Sequence, residues 1–212
     1  MNIIIRPEAK EDHRKVEEVT REAFWNLYRP GCDEHYTAHI LREHGDFIPE
    51  LDLVAELDGK IVGSIMYTRS YVINEKGEKT ATATFGPVCV LPEYQRKGIG
   101  SKLIQYTLKL AEEMGFPAVL IFGDAHNYCR HGFKNGIDLG VSTYGGIFPL
   151  GFLVLELKKG FFAGHKWEFS HSDAYNISIE EAEKFDLLFE PKVKEYRPSQ
   201  DVFSMQIRAT LK

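Results

Sequence analysis

The sequence contains little cysteine and no long apolar segment. Its three cysteines, Cys32, Cys89 and Cys129, are far apart and form no Cys-x-x-Cys pair. This spacing argues against a disulfide framework and against a thiolate metal site. The amino-terminal apolar run stops at Ile5, which is too short for a signal peptide or a membrane span, and no later run reaches that length. We therefore expect a cytoplasmic protein with no membrane partner.

An excess of basic residues is also lacking. The chain carries 26 Lys and Arg residues against 31 Asp and Glu residues, which gives a formal net charge of −5. This balance argues against a nucleic acid partner and suits a cationic partner such as an amine. Hydrophobic residues make up 43% and charged residues 27% of the 212 residues, enough for one well-filled core.

Apolar periodicity predicts alternating strands and helices along the chain. The predicted strands cover residues 3–5, 51–57, 61–73, 80–91, 118–122, 152–157 and 202–209. The predicted helices cover a segment after Asp12 and then residues 33–43, 98–115, 124–131 and 178–188. This order predicts an α/β (α+β) fold with a mixed, mostly antiparallel central sheet and helices on both faces.

Local signals indicate how several of these elements begin or end. Asp12 is expected to cap the first helix, and Ser178 with Glu181 forms a capping-box pattern at the last one. Asp58-Gly59 predicts a hairpin turn, and Gly86-Pro87 interrupts the third strand of the meander. The expected inner face of the second helix carries Tyr36, Ile40 and Leu41.

Residues 88–101, with the sequence VCVLPEYQRKGIGS, end a predicted strand and open a predicted helix. The first amides of a helix have no internal partner, and the helix dipole is positive there. Gly98 and Gly100 lack side chains, so a phosphate can approach the backbone closely. The residues just before them add hydrogen-bond donors and positive charge: Gln95, Arg96 and Lys97. The segment therefore predicts an anion-binding loop suited to a pyrophosphate.

Two other phosphate-binding patterns do not fit these glycines. A P-loop needs glycine, four residues and then Gly-Lys-Ser/Thr, which the sequence does not contain. A dinucleotide fingerprint needs a third glycine or alanine where Leu103 stands. The remaining alternative is a helix that merely begins with flexible residues, and a longer motif argues against it.

The longer motif resembles that of a known family. Gln95-x-x-Gly98-x-Gly100 matches the Gln/Arg-x-x-Gly-x-Gly/Ala motif of the GNAT superfamily of N-acetyltransferases. Residues 86–94 are similar to the strand and turn before that motif, and the element order over residues 3–157 is similar to the GNAT, or acyl-CoA N-acyltransferase, fold. The resemblance implies a GNAT-like acetyltransferase domain over residues 1–160, with residues 161–212 as a carboxy-terminal extension packed on it.

The resemblance further implies acetyl-CoA as the acyl donor. Backbone amides at the start of the helix would hold its pyrophosphate, and the strand around Cys89 would pair with its pantetheine arm. A bulge near Gly86-Pro87 would help to open the cleft between two strands. The residues expected to bind the cofactor are Val88, Cys89, Val90, Gln95, Arg96, Lys97, Gly98, Ile99, Gly100, Ser101 and Asn127.

Tyr128 lies four residues before Gly132-Phe133, a spacing at which many GNAT enzymes have a tyrosine near the thioester sulfur. Acyl transfer expels a thiolate, and a phenol can donate the proton that the thiolate needs. The resemblance thus implies that Tyr128 is the general acid. The alternative is a tyrosine packed in a short helix with its hydroxyl hydrogen bonded.

The acceptor side has no fixed family pattern. An alkylamine has a pKa of about 10.4, so it arrives protonated and must lose a proton before it attacks. Glu34, His35 and Asp124 are the candidate bases or acceptor-binding residues, from their expected place near the cleft. A solvated or structural role is the alternative for each. The expected acceptor is an unidentified small-molecule or peptide amine.

Two further patterns have simpler explanations. His35, His39 and Glu43 share a helix face by spacing, and a His-x-x-x-His pair can bind a metal. The His-Glu-x-x-His arrangement is absent, so a polar helix face is favoured and no metal is expected. Cys129 as a nucleophile would need a group that orients its partner histidine, and the sequence does not identify one.

The sequence therefore predicts an N-acetyltransferase that transfers an acetyl group to a primary amine by direct attack in a ternary complex. The alternative is a non-catalytic module that binds or senses acyl-CoA. The extension is too aromatic for a disordered tail and too short for a core of its own, so we expect it to pack on the domain or to form a homodimer contact. Its apolar residues include Phe161, Phe162, Trp167, Phe169, Tyr175, Phe185, Leu187, Leu188 and Phe189.

Overall fold

The computed structural model describes residues 2–212. The strands are β1 (Ile3–Pro7), β2 (Leu53–Leu57), β3 (Lys60–Asn74), β4 (Lys79–Val90), β5 (Ala118–Phe122), β6 (Lys134–Asn135), β7 (Val141–Ser142), β8 (Phe148–Pro149), β9 (Phe152–Glu156), β10 (Trp167–Ser170) and β11 (Thr210–Leu211). The helices are α1 (His13–Phe24), α2 (Glu34–Leu41), α3 (Ile99–Glu113), α4 (Ala125–Tyr128), α5 (Ile179–Asp186) and α6 (Pro198–Arg208). Over residues 2–212, none of these helices has both the length and the apolar character needed to cross a bilayer.

The central sheet is mixed and mostly antiparallel. Along its main path the strand order is β1-β2-β3-β4-β5-β9-β6, while β10 pairs with β3 and β7 pairs with β10. The pairs β4–β5 and β7–β10 are parallel, and the other pairs are antiparallel. A separate two-stranded sheet joins β8 to β11. This arrangement confirms the predicted fold class.

Helices pack on both faces of the sheet. On one face, Leu103 of α3 is buried with Ala55 and Val119. On the opposite face, Val16 of α1 is buried with Val54. Neighbouring residues of a strand point to opposite faces, so Val54 and Ala55 of β2 separate the two layers.

The strands β4 and β5 separate beyond one point of contact. They pair through Ala83 and Val119, whereas β5 pairs with β9 along all of its length. β4 continues to Val90 along β3. The edge of β4 that faces β5 is therefore unpaired toward the carboxyl end of β4, and a cleft opens between the two strands.

Residues beyond 160 complete both the sheet and one of its faces. β10 pairs antiparallel with the last part of β3. Phe162, Trp167 and Phe169 are buried together with Leu120 of β5. The preceding residue of that strand, Val119, packs on the α3 side. The aromatic residues of the extension thus cover β5 on the face opposite α3.

The predicted strand over residues 202–209 is wrong. Residues 202–208 belong to α6, which has Pro198 in its first turn, and only Thr210 and Leu211 after it pair with β8. Apolar residues there recur at both helical and alternate spacings, and periodicity alone does not separate the two in a short segment. Strand β10 was missed for the related reason that it is only four residues long.

The expected cap of α1 is also wrong, because Asp12 accepts no hydrogen bond from the amides of that helix. Its carboxylate instead accepts from the Arg6 guanidinium over 2.6 Å and from the Ala9 N–H over 2.9 Å. Asp12 therefore fixes the connection from β1 to α1.

α2 and α5 contact each other through polar groups. The Ser178 hydroxyl accepts from the Glu181 N–H over 3.3 Å, which confirms Ser178 as the cap of α5, whereas the reciprocal bond of a capping box is not made within residues 2–212. The Glu181 carboxylate accepts from the Tyr36 hydroxyl over 3.1 Å, so Tyr36 faces α5 and is only partly buried, as is Ile40. The expected inner face of α2 is therefore confirmed for Leu41 and wrong for Tyr36 and Ile40, since the buried side chains are His35, Thr37, Ala38 and Leu41.

Candidate active site

The loop between β4 and α3 exposes a row of backbone amides. Its backbone is left-handed at Arg96, with φ of 58°, and at Gly98, with φ of 83°. The first hydrogen bond of α3 runs from the Lys102 N–H to the Gly98 oxygen over 3.0 Å. Within residues 2–212, the successive N–H groups of residues 96–101 have no hydrogen-bond acceptor. Such a row of free amides at a helix start binds anions.

The two glycines keep the space beside these amides open. A Cβ atom at Gly98 would meet no other atom within 4 Å, and one at Gly100 would lie 3.7 Å from Val90 Cγ2. The positive φ of Gly98 would also strain any other residue. The geometry of the loop therefore fits a pyrophosphate.

The polar side chains of the loop have different contacts. Gln95 Nε2 donates to the Val90 oxygen over 3.0 Å, so it braces the turn. Lys97 Nζ donates to the Glu93 oxygen over 2.7 Å. The exposed Arg96 guanidinium has no hydrogen-bond or salt-bridge partner in the described part of the chain. Arg96 is therefore the side chain of this loop that is free to bind a phosphate.

β4 presents alternate residues to the cleft. The Leu91 N–H donates to the Val62 oxygen of β3 over 2.9 Å, and Cys89 lies two residues earlier on the same ladder. In an antiparallel ladder, residues that bond to one neighbour alternate with residues whose N–H and C=O groups point to the other edge. Val88 and Val90 therefore direct their backbone groups to the unpaired edge.

Cys89 is turned into the protein. Its Sγ lies 3.2 Å from the Ser64 hydroxyl and 3.5 Å from the Thr20 hydroxyl. Burial raises the pKa of the Cys89 thiol. The structure thus places neither the backbone nor the side chain of Cys89 at the cleft, and the expected contact of this residue with the cofactor is corrected.

Tyr128 is the last residue of α4 and lies on the side of the cleft where aromatic rings pack together. Its ring centroid is 5.7 Å from that of Phe85, and a Cβ atom at Gly123 would clash with the ring. Burial and, after it, Tyr28 and the charge of Asp124 raise the pKa of the Tyr128 hydroxyl. The hydroxyl has no hydrogen-bond partner within residues 2–212. Because its pKa is raised, the hydroxyl is neutral at neutral pH, and because it has no partner, its proton is free to be donated.

Asp124 positions the helix that carries Tyr128. Its Oδ1 accepts from the His126 N–H over 2.9 Å and so caps α4. Asn127, which the sequence assigned to the cofactor, is exposed on the same turn of helix, and its side chain has no hydrogen bond to another described residue.

Tyr28, in the connection between α1 and α2, brings the acceptor-side candidates into one cluster. Burial and then the charges of Glu34 and Asp124 raise the pKa of Tyr28. Asp124 acts in the same direction on Tyr128. Tyr28 is therefore within electrostatic range of Glu34, Asp124 and Tyr128, and we call these four residues the acidic cluster.

The two carboxylates of the acidic cluster are not held in salt bridges. Arg29 pairs with Asp33 over 2.6 Å, whereas neither Glu34 nor Asp124 has a cationic partner within salt-bridge distance among residues 2–212. Burial and then Asp33 raise the pKa of Glu34 to about 7. Glu34 is therefore able to take up and release a proton near neutral pH.

His35 lies outside the acidic cluster. Its side chain is fully buried, with Nδ1 3.4 Å from Cys32 Sγ. Its Nε2 lies 3.2 Å from Asp186 Oδ1 without hydrogen-bond alignment, and Arg21 Nε donates to that same oxygen over 2.6 Å. Burial lowers the pKa of His35 to about 4 and raises that of the Cys32 thiol. His35 and the Cys32 thiol are therefore neutral and unreactive, and the expected acceptor contact of His35 is wrong because no solvent reaches it.

The rival metal set does not converge on one point. His39 Nδ1 lies 2.8 Å from Glu17 Oε1, while His35 contacts Asp186. Glu43 is exposed. Cys129 is exposed as well, and its thiol has no histidine within hydrogen-bond distance among the residues described. These side chains therefore form no common ligand set and no nucleophile with its base.

Two aromatic residues beside the acidic cluster were not predicted from the sequence. The Tyr28 ring stacks on the Phe203 ring of α6, with centroids 4.3 Å apart and planes 27° apart. A usable signal for Tyr28 was its place directly before the helix break at Arg29-Pro30-Gly31. Phe203 had no such signal, because its segment was predicted to be a strand.

Comparison with known families agrees with this geometry. Residues 18–133 match the model of the acetyltransferase (GNAT) family. The match covers more than half of the chain, and the protein belongs to the GNAT family. It includes the loop between β4 and α3 and also α4, and it ends before β10 and α6.

Two relatives are proteins of Escherichia coli K12. The uncharacterized N-acetyltransferase YjhQ is 39% identical over 88 residues, which are 41% of this chain and 47% of YjhQ. The uncharacterized N-acetyltransferase YhbS is 29% identical over 133 residues, which are 62% of this chain and 74% of YhbS. The match to YjhQ thus spans about half the length of that relative.

Solved structures share the fold over most of the chain. The crystal structure of YhbS from Escherichia coli in complex with CoA has a TM-score of 0.72 and 22% identity, covering 84% of this chain and 93% of that one. A GNAT family acetyltransferase from Brucella melitensis in complex with acetyl-CoA has a TM-score of 0.64 and 27% identity, covering 82% of this chain and 98% of that one.

Proposed function

We propose that this protein transfers the acetyl group of acetyl-CoA to a primary amine by direct attack in a ternary complex. The observation that carries the proposal is the row of free amides of residues 96–101 beside Gly98 and Gly100. The relative from Brucella melitensis, solved with acetyl-CoA, supports the choice of donor.

The chain would hold the donor along its length. The amides of residues 96–101 would bind the pyrophosphate, and the free guanidinium of Arg96 would add charge. The backbone groups of Val88 and Val90 would pair with the amides of the pantetheine arm, as an added strand pairs with a sheet edge. Asn127 is a further candidate contact, since it is exposed beside Tyr128.

Tyr128 would serve as the general acid. Its hydroxyl is protonated at neutral pH and has no competing hydrogen-bond partner in the described chain. It would donate its proton to the departing thiolate sulfur as the C–S bond breaks.

Glu34 would accept the proton of the amine. An alkylammonium has a pKa of about 10.4, so a base near it must take a proton before the nitrogen can attack. The pKa of Glu34, raised to about 7, leaves a substantial fraction of the carboxylate ionised at neutral pH and makes it a stronger base than an ordinary carboxylate. The second carboxylate, Asp124, would attract the cationic amine.

Two measurements on the wild-type protein test the proposal. Calorimetry should detect binding of acetyl-CoA, and a thiol assay should detect CoA release when amines of several classes are added. Binding without amine-dependent release would contradict acetyl transfer and favour the non-catalytic acyl-CoA module. No binding would contradict both functions.

A cytoplasmic location and a homodimer are further parts of the proposal. The free thiols of Cys32, Cys89 and Cys129 fit a reducing compartment. A homodimer would bury apolar side chains that are exposed on α6, such as Val202 and Met205. Light scattering of the purified protein gives its mass in solution, and a monomeric mass would contradict the homodimer.

A further inference from the structure

Helix α6 is fixed at both ends to segments beside the acidic cluster. At its start, Gln200 Nε2 donates to the Asn26 oxygen over 3.0 Å. Just after its end, the Ala209 oxygen accepts from the Leu150 N–H over 2.8 Å. α6 therefore runs from the connection between α1 and α2 to the segment before β9.

Each anchor leads directly to the acidic cluster. On one side, Asn26 lies two residues before Tyr28. On the other side, Gly151 follows the anchoring residue, and its oxygen accepts from the Gly123 N–H over 2.9 Å. Gly123 directly precedes Asp124. The helix thus bridges the two segments that supply the cluster.

The inward face of α6 is buried near the start of the helix and exposed near its end. Gln200, Phe203 and Ile207 share this face, because they are spaced by three and seven residues. Gln200 is buried at 8% exposure and Phe203 stacks on Tyr28, but Ile207 is 60% exposed. A side chain on the inward face that stays exposed lies above open space. Ile207 lies one helical turn beyond Phe203, whose ring stacks on that of Tyr28.

We propose that α6 forms an apolar wall of the acceptor site and that the acceptor is a small amine carried on an apolar body. The inference rests on the proposed acetyl transfer and names the substrate class of the same site. The ammonium group would lie against the carboxylates of Glu34 and Asp124, which have no cationic partner in the described chain. The apolar body would lie against Phe203 and Ile207.

The wall disfavours two other classes of amine. A polyamine would place a second ammonium group against Phe203 and Ile207, where that group would lose water without gaining a partner. A lysine on a folded protein surface would have to enter past a helix that is anchored on both sides of the site. A compact amine with a single ammonium group avoids both the lost hydration and the blocked entry.

The test compares two exposed residues on opposite faces of α6. Ile207 is 60% exposed on the inward face, and Met205 is 58% exposed on the outward face. 2-Phenylethylamine, ethylamine, spermidine and a lysine-containing peptide would each be titrated calorimetrically into the protein saturated with CoA. We expect 2-phenylethylamine to bind tightest, I207A to weaken its binding about tenfold, and M205A to leave it unchanged.

Several results would overturn the inference. These are equal effects of I207A and M205A, ethylamine binding as tightly as 2-phenylethylamine, or tighter binding of spermidine or the peptide. Thermal melting of both variants verifies that the fold is kept. If spermidine or the peptide releases CoA and I207A does not affect that release, acetyl transfer stands and the apolar wall fails. If 2-phenylethylamine binds as expected but no amine in the panel releases CoA, the apolar site stands and acetyl transfer fails.

Discussion

The Tyr175 hydroxyl donates a hydrogen bond to the Gly86 oxygen over 3.1 Å. Gly86 lies three residues after Ala83, where β4 leaves β5, and Tyr175 belongs to the extension. The extension therefore holds β4 at the point where the cleft opens. Burial raises the pKa of Tyr175 to about 12, so the hydroxyl remains a donor at neutral pH.

Replacing Tyr175 with phenylalanine should therefore destabilise the fold. The Gly86 oxygen would lose its donor, at a cost of about 1–3 kcal/mol in the free energy of unfolding. Urea denaturation measures this change. Tyr144, which is 85% exposed, offers a matched control, since Y144F should leave stability unchanged. Equal stability of Y175F and wild type would show that this hydrogen bond contributes nothing.

The pyrophosphate loop can be tested at Gly100 without disturbing the protein. A Cβ atom there makes ordinary contact with Val90, and alanine favours a helix over glycine by about 1 kcal/mol, so G100A should fold well. Compared with G100A, G100V adds two methyl groups beside the free amides. It should weaken acetyl-CoA binding at least about tenfold, a loss of about 1.4 kcal/mol in binding free energy. Calorimetry on both variants measures the difference, and identical affinities would argue against a phosphate at this loop.

Tyr128→Phe should lower kcat while acetyl-CoA still binds. The substitution removes the proton donor and keeps the ring packed on Phe85, so we expect a loss of about 10²- to 10⁴-fold. Because the Tyr128 pKa is raised, the wild-type rate should not fall on the alkaline side until the pH exceeds the ordinary tyrosine pKa of about 10. An unchanged kcat in Y128F would mean that water protonates the thiolate.

The rate at saturating amine should depend on Glu34. Glu34 must be ionised to accept a proton, so kcat should rise with pH through a midpoint near 7, the value to which burial and Asp33 raise its pKa. In E34Q this rise should vanish together with most of the activity. D33N removes a negative neighbour and lowers the Glu34 pKa, so it should move the rise to lower pH. An unmoved midpoint in D33N would assign the titration to another group.

Ending the chain after Gly160 should make the protein unstable, because the face of β5 that Phe162, Trp167 and Phe169 cover would be exposed. A milder change tests the same contact. Trp167 is 6% exposed, and W167A should cost about 3–5 kcal/mol of unfolding free energy. L187A alters a residue of the extension that is 82% exposed and should cost nothing measurable. A truncated protein as stable as the full chain would show that the extension is an independent appendage.

The local parts of the site could be predicted from the sequence. Gly98 and Gly100 at a strand-to-helix junction indicate a phosphate loop by themselves, because helix amides and small side chains are adjacent along the chain. The elements from β1 to β9 were predicted within a few residues, apart from the short strands β6 to β8, since their apolar periodicity is long enough to be read.

The acceptor side depended on contacts between distant segments. Tyr28, Asp124 and Phe203 meet only after β5, α6 and the connection between α1 and α2 have packed together. His35 looked available in the sequence and is buried against Asp186, which lies far along the chain.

The sequence by itself determined the anion-binding loop and the order of the main strands and helices, because both depend on residues that are neighbours along the chain. Only the tertiary structure decided which face α6 presents, which edge of β4 is free, and which carboxylates lack a cation. Those features depend on burial and on charge interactions between segments that are distant in the sequence and meet only when the sheet forms and the extension covers it.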